Sequence, residues 1–247
     1  MGNAIDRYFS TTVAIRESIK TLRTNLQFVS TDDNVKSILI TSAYPNEAKT
    51  TTCIYLALSL AEAGKRVLLL DCDLRRPMMA EYMDIPRKAG LVDYIAGTSR
   101  LSDIIVPTKC ENLFFVDSGP KISNSVEILS SAPFESMLSE LREEFDYVII
   151  DTPPLGSFIE AAVLASIADG ALLVVEHGKV EAKVAKSIVE QLKKAHAHIL
   201  GVIFTNINEK YDNYYGSYGQ YSYYDYNHTK KKGRKKNKKS KSRKNRY

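Results

Sequence analysis

Short, wholly apolar runs recur along the 247-residue chain, at 37–42, 66–71, 113–117, 147–151, 171–176 and 200–204. Their length, their Val, Ile and Leu content and the turn residues that bound them favour strands over buried helix segments. Between them lie longer stretches with apolar residues at helical spacing, at 49–63, 123–131, 133–144, 158–167 and 180–196. A strand that is apolar at every position is buried on both faces, and strict alternation with helices supplies those covers. The pattern therefore predicts an α/β fold: a mostly parallel, twisted sheet flanked by helices. On such sheets ligands sit beyond the carboxyl ends of the strands.

Two parts of the chain stand outside this alternation. Residues 11–29 carry Val13, Ile15, Ile19, Leu22, Leu26 and Phe28 in a helical rhythm before the first strand. This helix would pack as an extra element or reach a neighbouring subunit. The other part begins beyond 208, where residues 209–228 are mostly Tyr, Gly, Ser and Asn, and residues 229–247 are Lys and Arg with Asn and Ser. Neither tail segment can bury enough apolar surface to offset chain entropy, so both are expected to be disordered. The layout is thus a 1–208 body, its first 30 residues an oligomerisation region, then a tyrosine-rich segment (209–228) and a polybasic one (229–247).

Charge sharpens the division. The net +5 hides a body of opposite sign: residues 229–247 hold twelve of the 34 basic residues and no acid, leaving 22 basic against 29 acidic residues, net −7, in 1–228. No apolar run approaches the ~18 residues that span a bilayer, and the N-terminus has no signal-peptide core, so a soluble protein is expected. Cys53, Cys72 and Cys110 are dispersed without metal spacing and read as reduced apolar fillers in a cytosolic protein.

Three polar motifs fall at strand ends. Ser42 to Thr52 reads S-A-Y-P-N-E-A-K-T-T-T between the first strand and the first amphipathic stretch. A strand, a tight loop and a helix opening on Lys-Thr form a phosphate cradle: loop N–H groups and the helix N-terminus meet the phosphates, and the lysine reaches the terminal ones. Pro45, Asn46, Glu47, Ala48, Lys49, Thr50 and Thr51 are the candidate nucleotide contacts. Ala48 stands where a left-handed backbone is expected, which would cost an alanine on the order of 1 kcal/mol. Asn46 tolerates that geometry. Next, V-L-L-L-D-C-D-L-R-R-P places Asp71 and Asp73 at a strand end, and Y-V-I-I-D-T-P-P does the same for Asp151. Taken singly, each motif has a structural alternative: a helix N-cap, an Asp paired with Arg75 or Arg76, an Asp capping the next helix. Three motifs arriving at one sheet edge favour a nucleotide-hydrolysing or phosphoryl-transferring site.

Together, Lys49-Thr50, D-x-D-x-R-R-P and I-I-D-T-P-P resemble the bacterial tyrosine kinases, P-loop enzymes akin to ParA/MinD-type ATPases. The resemblance extends through T-L-R-T-N-L-Q-F (21–28), A-G-L-V-D-Y-I-A-G (89–97), L-G-V-I-F (200–204) and the terminal tyrosine cluster. It implies a P-loop NTPase fold and an ATP- and Mg²⁺-dependent protein-tyrosine kinase that phosphorylates its own tail in trans within a ring of copies. It also implies regulation of capsular or exopolysaccharide synthesis. The partners it implies are a membrane-spanning activator (the polysaccharide co-polymerase) and a tyrosine phosphatase. Location would be cytoplasmic, peripheral at the inner face of the plasma membrane through that activator. Carried over by residue, Lys49 would neutralise phosphate charge, Thr50 with Asp73 and Asp151 would hold Mg²⁺, and Asp71 would accept the phenol proton. The acceptors would be Tyr211, Tyr214, Tyr215, Tyr218, Tyr221, Tyr223, Tyr224 and Tyr226.

Some positions depart from the family. Its loop usually reads P-G-E-G-K, here P-N-E-A-K; its subunit-contact motif E-x-x-R-x-x-R is here Glu17, Lys20 and Arg23. The basic end would contact anionic lipid at about 1 kcal/mol per charge near the surface, with no specific nucleic acid expected. Two rival readings remain at this stage. One is a ParA/MinD-like switch ATPase, disfavoured because Tyr44 occupies the position of the second lysine those proteins use. The other is a weakly active nucleotide-binding scaffold, suggested by Ala48.

Overall fold

The computed structural model describes residues 2–33 and 35–207. The chain divides into two units, Met1–Ile207 and Asn208–Tyr247. The second unit, with the eight tail tyrosines and the basic run, lies outside the described residues.

Among the described residues the first unit is built on a seven-stranded sheet. The strands are β1 (Ser37–Ser42), β2 (Val67–Asp71), β3 (Val106–Pro107), β4 (Leu113–Val116), β5 (Tyr147–Asp151), β6 (Gly170–Glu176) and β7 (Ile199–Thr205). Their spatial order is β3-β4-β2-β5-β1-β6-β7, parallel throughout except where β3 runs antiparallel to β4. Six strands lie where the apolar runs predict them. The seventh, β3, is two residues long, and its Pro107 suits an edge position, where the missing N–H disturbs no ladder.

Helices cover both faces, as wholly apolar strands require. Alternate residues of each strand point to opposite sides. Ile38, Ile40, Val67, Leu69 and Ile149 face a layer made by α1 (Ala4–Ser10), α2 (Val13–Asp33), α3 (Lys49–Glu62) and α4 (Met79–Met83). Leu39, Leu68, Leu70, Val148 and Ile150 face the other side. There lie α5 (Leu91–Ile95), α6 (Leu101–Ile104), α7 (Ser125–Leu129), α8 (Ala132–Glu144), α9 (Glu160–Ala165) and α10 (Ala182–Lys194). α3 is the most deeply set helix; Cys53, Ile54, Leu56, Ala57, Leu58 and Leu60 are all fully buried against the sheet. Each such leucine contributes about 1.5–3 kcal/mol over its exposed state.

The N-terminal helix forms as the rhythm predicts, but its apolar residues do not all turn inward. Leu26 is buried, whereas Val13 and Phe28 are 71% and 72% exposed. Ala4, Ile5, Tyr8 and Leu26 pack into the core, and polar contacts of α1 and α2 add to the fastening. Arg23 donates to the Ser59 carbonyl at 2.7 Å, and the Tyr8 hydroxyl to Glu62 at 2.7 Å. Lys20 pairs with Glu17 one helical turn away at 2.8 Å.

The insertion of β5 between β2 and β1 matters most for function. It sets the carboxyl ends of three strands side by side, with Ile40 and Asp71 each in register with Asp151.

Candidate functional site

β1 ends at Ser42, and the chain turns through residues 43–48 into α3. Two residues of this loop are left-handed, Asn46 at φ 65° and Ala48 at φ 63°. The residue before Lys49 thus adopts the left-handed conformation, with an alanine in a position where glycine carries no such cost. Ala48 then receives the helix on its carbonyl, which accepts from both the N–H and the hydroxyl of Thr52 at 2.9 Å.

The side chain of Glu47 has a bracing role that its place in the loop does not reveal. It is 1% exposed and turned away from the cavity. Its carboxylate accepts from the Tyr44 N–H at 2.7 Å and the Glu176 N–H at 3.1 Å. Its carbonyl accepts from the Thr205 hydroxyl at 3.2 Å. The side chain braces the loop against the ends of β6 and β7, because a buried carboxylate needs donors and the loop's own N–H groups are the nearest supply.

Lys49, Thr50 and Asp151 form the centre. The Lys49 ammonium contacts Asp151 directly, and the Thr50 hydroxyl donates to the other oxygen of Asp151 at 2.6 Å. Cys53 adds a longer contact to Asp151 at 3.5 Å. Burial pulls the Lys49 ammonium down, but the charges of Asp151 and its neighbours outweigh it and hold Lys49 above the usual lysine range. Asp151 is also tied at its backbone, where its carbonyl accepts from Cys72 at 2.8 Å.

The two carboxylates after β2 are not equivalent. Asp71 is fully buried and accepts from the backbone N–H groups of Asp73 at 3.0 Å and Met79 at 3.4 Å. Burial first, and then the charge of Asp151 alongside, push its carboxyl well above the usual range. Asp73 lines the cavity and accepts from the Arg76 N–H at 2.9 Å. Burial raises Asp73 as well, partly offset by Lys49. The proton-accepting side chain expected at Asp71 therefore lies behind the cavity wall, and Asp73 is the carboxylate on its surface.

The cavity has a volume of about 420 Å³. Its near wall is the loop with Lys49, Thr50 and Thr51, and its far wall carries Asp73, Arg75, Arg76, Tyr82 and Phe158. Sequence reasoning named Arg75 only as a partner for the neighbouring aspartates. It pairs instead with Glu160, a residue 1% exposed on α9, through its Nε at 2.5 Å. The guanidinium also lies 4.6 Å from the Phe158 ring centroid. Nothing in the local pattern around Phe158 or Glu160 marks them, since they join the site only through the placement of α9.

Thr50, Asp73 and Asp151 offer hard oxygen donors of the kind Mg²⁺ takes. Asp73 on the cavity wall and the buried Asp71 and Asp151 behind it surround the one lysine of the cavity lining, Lys49, an excess of negative charge that a divalent cation would offset. Among the described residues no three His, Cys, Asp or Glu side chains converge to hold a metal by themselves. Mg²⁺ keeps waters and binds through one or two carboxylates plus substrate phosphates.

Comparison with known proteins agrees with this geometry. Residues 12–212 match the AAA domain family. The tyrosine-protein kinase CpsD of Streptococcus agalactiae is 37% identical over 199 residues, covering 80% of this chain and 86% of its own. Among solved structures, the kinase domain of the Escherichia coli tyrosine kinase ETK superposes with a TM-score of 0.76 at 28% identity, covering 79% of this chain and 76% of that one. The septum site-determining protein MinD from Pyrococcus horikoshii, complexed with Mg-ADP, superposes with a TM-score of 0.58 at 26% identity, covering 69% and 70%.

Proposed function

The chain belongs to the bacterial tyrosine-protein kinases, ATP-binding enzymes of the P-loop class, and from that premise we propose that it phosphorylates its own tyrosine-rich tail in trans. The supporting observation is the joining of Lys49, Thr50 and Asp151 by direct side-chain contacts beside a cavity that Asp73 also lines. In this reading the loop N–H groups and Lys49 bind the triphosphate. Thr50, Asp73 and Asp151 would hold Mg²⁺, which when bound offsets phosphate charge and polarises the terminal phosphoryl group.

The transfer breaks the bond between the γ-phosphorus and the bridging oxygen, and its electron pair leaves on ADP. A new bond forms to the phenol oxygen, and the phenol proton passes to a carboxylate. Asp73, which alone of the β2 pair lines the cavity, would take that proton on the carboxylate oxygen that Mg²⁺ leaves free. Asp71 acts from behind by anchoring the backbone of Asp73. A phenol has a pKa of about 10, so a carboxylate assists only as the new bond forms. Positioning and charge stabilisation carry most of the rate.

The acceptors proposed are the tail tyrosines 211, 214, 215, 218, 221, 223, 224 and 226, each phosphate adding up to about −2 of charge. Accumulated charge would drive copies in a ring apart, and a tyrosine phosphatase would reset them. A membrane-spanning activator would hold the kinase at the inner face of the membrane, with the basic end against anionic lipid, and the output would be control of capsular or exopolysaccharide synthesis. No helix among the described residues is long and apolar enough to cross a membrane.

The likeness to MinD supports a second reading, a switch ATPase. One experiment separates the two: purified protein with Mg-ATP and an activator fragment, probed for phosphotyrosine and for phosphate release. Phosphotyrosine that disappears in Lys49→Met supports the kinase. Phosphate release without phosphotyrosine supports the switch. Nucleotide binding with neither activity supports a scaffold.

A further inference from the structure

Glu160 sits at the start of α9 with 1% of its surface exposed. Its Oε1 accepts from both the Ser125 hydroxyl and Arg75 Nε at 2.5 Å, while its Oε2 has no hydrogen-bond partner among the described residues. Burying a carboxylate with one oxygen unmatched is costly, and an apolar residue would pack α9 against α7 at less expense. What the arrangement secures is the orientation of Arg75. The guanidinium is pinned at Nε by Glu160 and held over the Phe158 ring at 4.6 Å. Its two terminal nitrogens have no acceptor among the described residues, and the side chain lines the same cavity as Lys49 and Thr50.

We propose that Arg75 is a pre-set cation for the phosphoryl group in flight, and that Glu160 is the positioning residue that presents it. The proposal rests on the nucleotide reading above and adds a residue to it. The loop and Lys49 grip the triphosphate from one wall. The planar fork of Arg75 meets the equatorial oxygens of the transferring group from the other, at the point where the phenol enters. A fork already fixed at its third nitrogen and by its ring contact needs no reordering when charge spreads over those oxygens. Lysine has no such fork and could not take the same place.

The test uses the full chain with Mg²⁺ and a fluorescent ADP, with and without aluminium fluoride, which mimics the transferring phosphoryl group. In the unsubstituted protein aluminium fluoride should tighten ADP binding at least tenfold. Arg75→Ala and Arg75→Lys should lose that tightening, and Glu160→Gln should lose most of it, with affinity for ADP alone changed less than twofold in each. Phosphotyrosine formation should fall at least a hundredfold in Arg75→Ala and recover in part with added ethylguanidinium. Should Glu160→Gln melt early, the Arg75 variants still decide, because their side chain is one-third exposed. Equal tightening in Arg75→Ala and the unsubstituted chain, or no tightening in any chain, would overturn the proposal. Arg75-dependent tightening with no phosphotyrosine under any condition would instead sink the tyrosine-kinase reading and leave this one standing.

Discussion

Asp71 and Asp151 stand in register on adjacent parallel strands, two carboxylates side by side at the carboxyl edge of the sheet, both buried. Neighbouring strands lie about 4.8 Å apart, so two charges there repel strongly without a cation between them. Lys49 pairs with Asp151, and Asp71 is left with backbone donors. Burial first, and then this neighbour, raise the Asp71 carboxyl well above the usual carboxylate range.

The sign of the stability effect follows. A carboxyl raised in the folded state costs stability as pH climbs above its unfolded value of about 4. Asp71→Asn mimics the protonated form and removes that cost. In EDTA at neutral pH the variant should be more stable by about 1 kcal/mol, roughly 2–4 °C in melting temperature for a domain this size. A lower melting temperature in EDTA would mean that Asp71 is charged and satisfied in the resting protein.

Glu47 predicts a loss of ligand binding without loss of fold. Glu47→Gln keeps the shape but turns an amide N–H₂ toward the N–H of Tyr44 or Glu176, leaving one buried donor facing another. Such a mismatch costs about 1–3 kcal/mol. Because both donors fix the loop, ATP affinity measured by titration should drop about tenfold, while far-ultraviolet circular dichroism stays unchanged.

Ala48→Gly runs the other way. The left-handed backbone at φ 63° penalises alanine and not glycine. After the extra chain entropy glycine loses on folding, the variant should gain about 0.5 kcal/mol, visible as a small rise in the denaturation midpoint. Faster turnover with unchanged ATP affinity would show that the strain had been slowing a loop movement.

Alkaline pH tests the N-terminal fastening. The Tyr8 hydroxyl is buried and donates to Glu62, and burial first, then that carboxylate, push it up to about 12. Its contribution is intact below the unfolded pKa of about 10 and is lost as pH rises from there toward about 12. Stability measured in urea should fall across that window, and Tyr8→Phe should flatten the fall while being less stable at neutral pH.

How much of this was legible beforehand differs by element. The central strands were, because strands such as β1, β2 and β5, buried on both faces, leave uninterrupted apolar runs. Lys49, Asp73 and Asp151 stand out as candidates, because Lys49 opens the helix after the loop that follows β1, Asp73 lies two residues beyond β2 and Asp151 ends β5. The segment between Asp73 and Asn112 was not: α4, α5 and α6 are one turn or so each, too short to establish a period. Arg75 was visible only as a charge, since its partners Glu160 and Phe158 lie more than 80 positions on and arrive through the packing of α9. The bracing role of the Glu47 side chain depends on the ends of β6 and β7, which no local pattern reveals.

Gly156 gives the sharpest structural test, because its role is one of space. The strand end after Asp151 returns across β1: the Thr152 hydroxyl donates to the Ile40 carbonyl at 3.0 Å and the Leu155 N–H to the Ser42 carbonyl at 2.9 Å. These bonds press Gly156 against the root of the phosphate loop so closely that a Cβ there would lie 2.1 Å from the Ala43 carbonyl oxygen. Backbone on both sides leaves no flexible side chain to yield. Gly156→Ala must therefore either break the return segment or shift the loop, at a cost of several kcal/mol by the overpacking and hydrogen-bond terms together. Gly64→Ala is the matched control: no atom lies within 4 Å of its Cβ, and only its φ of 79° resists the change. We expect Gly156→Ala to lower the melting temperature at least twice as much as Gly64→Ala and to abolish ATP binding in whatever fraction stays folded. A Gly156→Ala protein that binds ATP normally would mean that the return segment and the phosphate loop move independently.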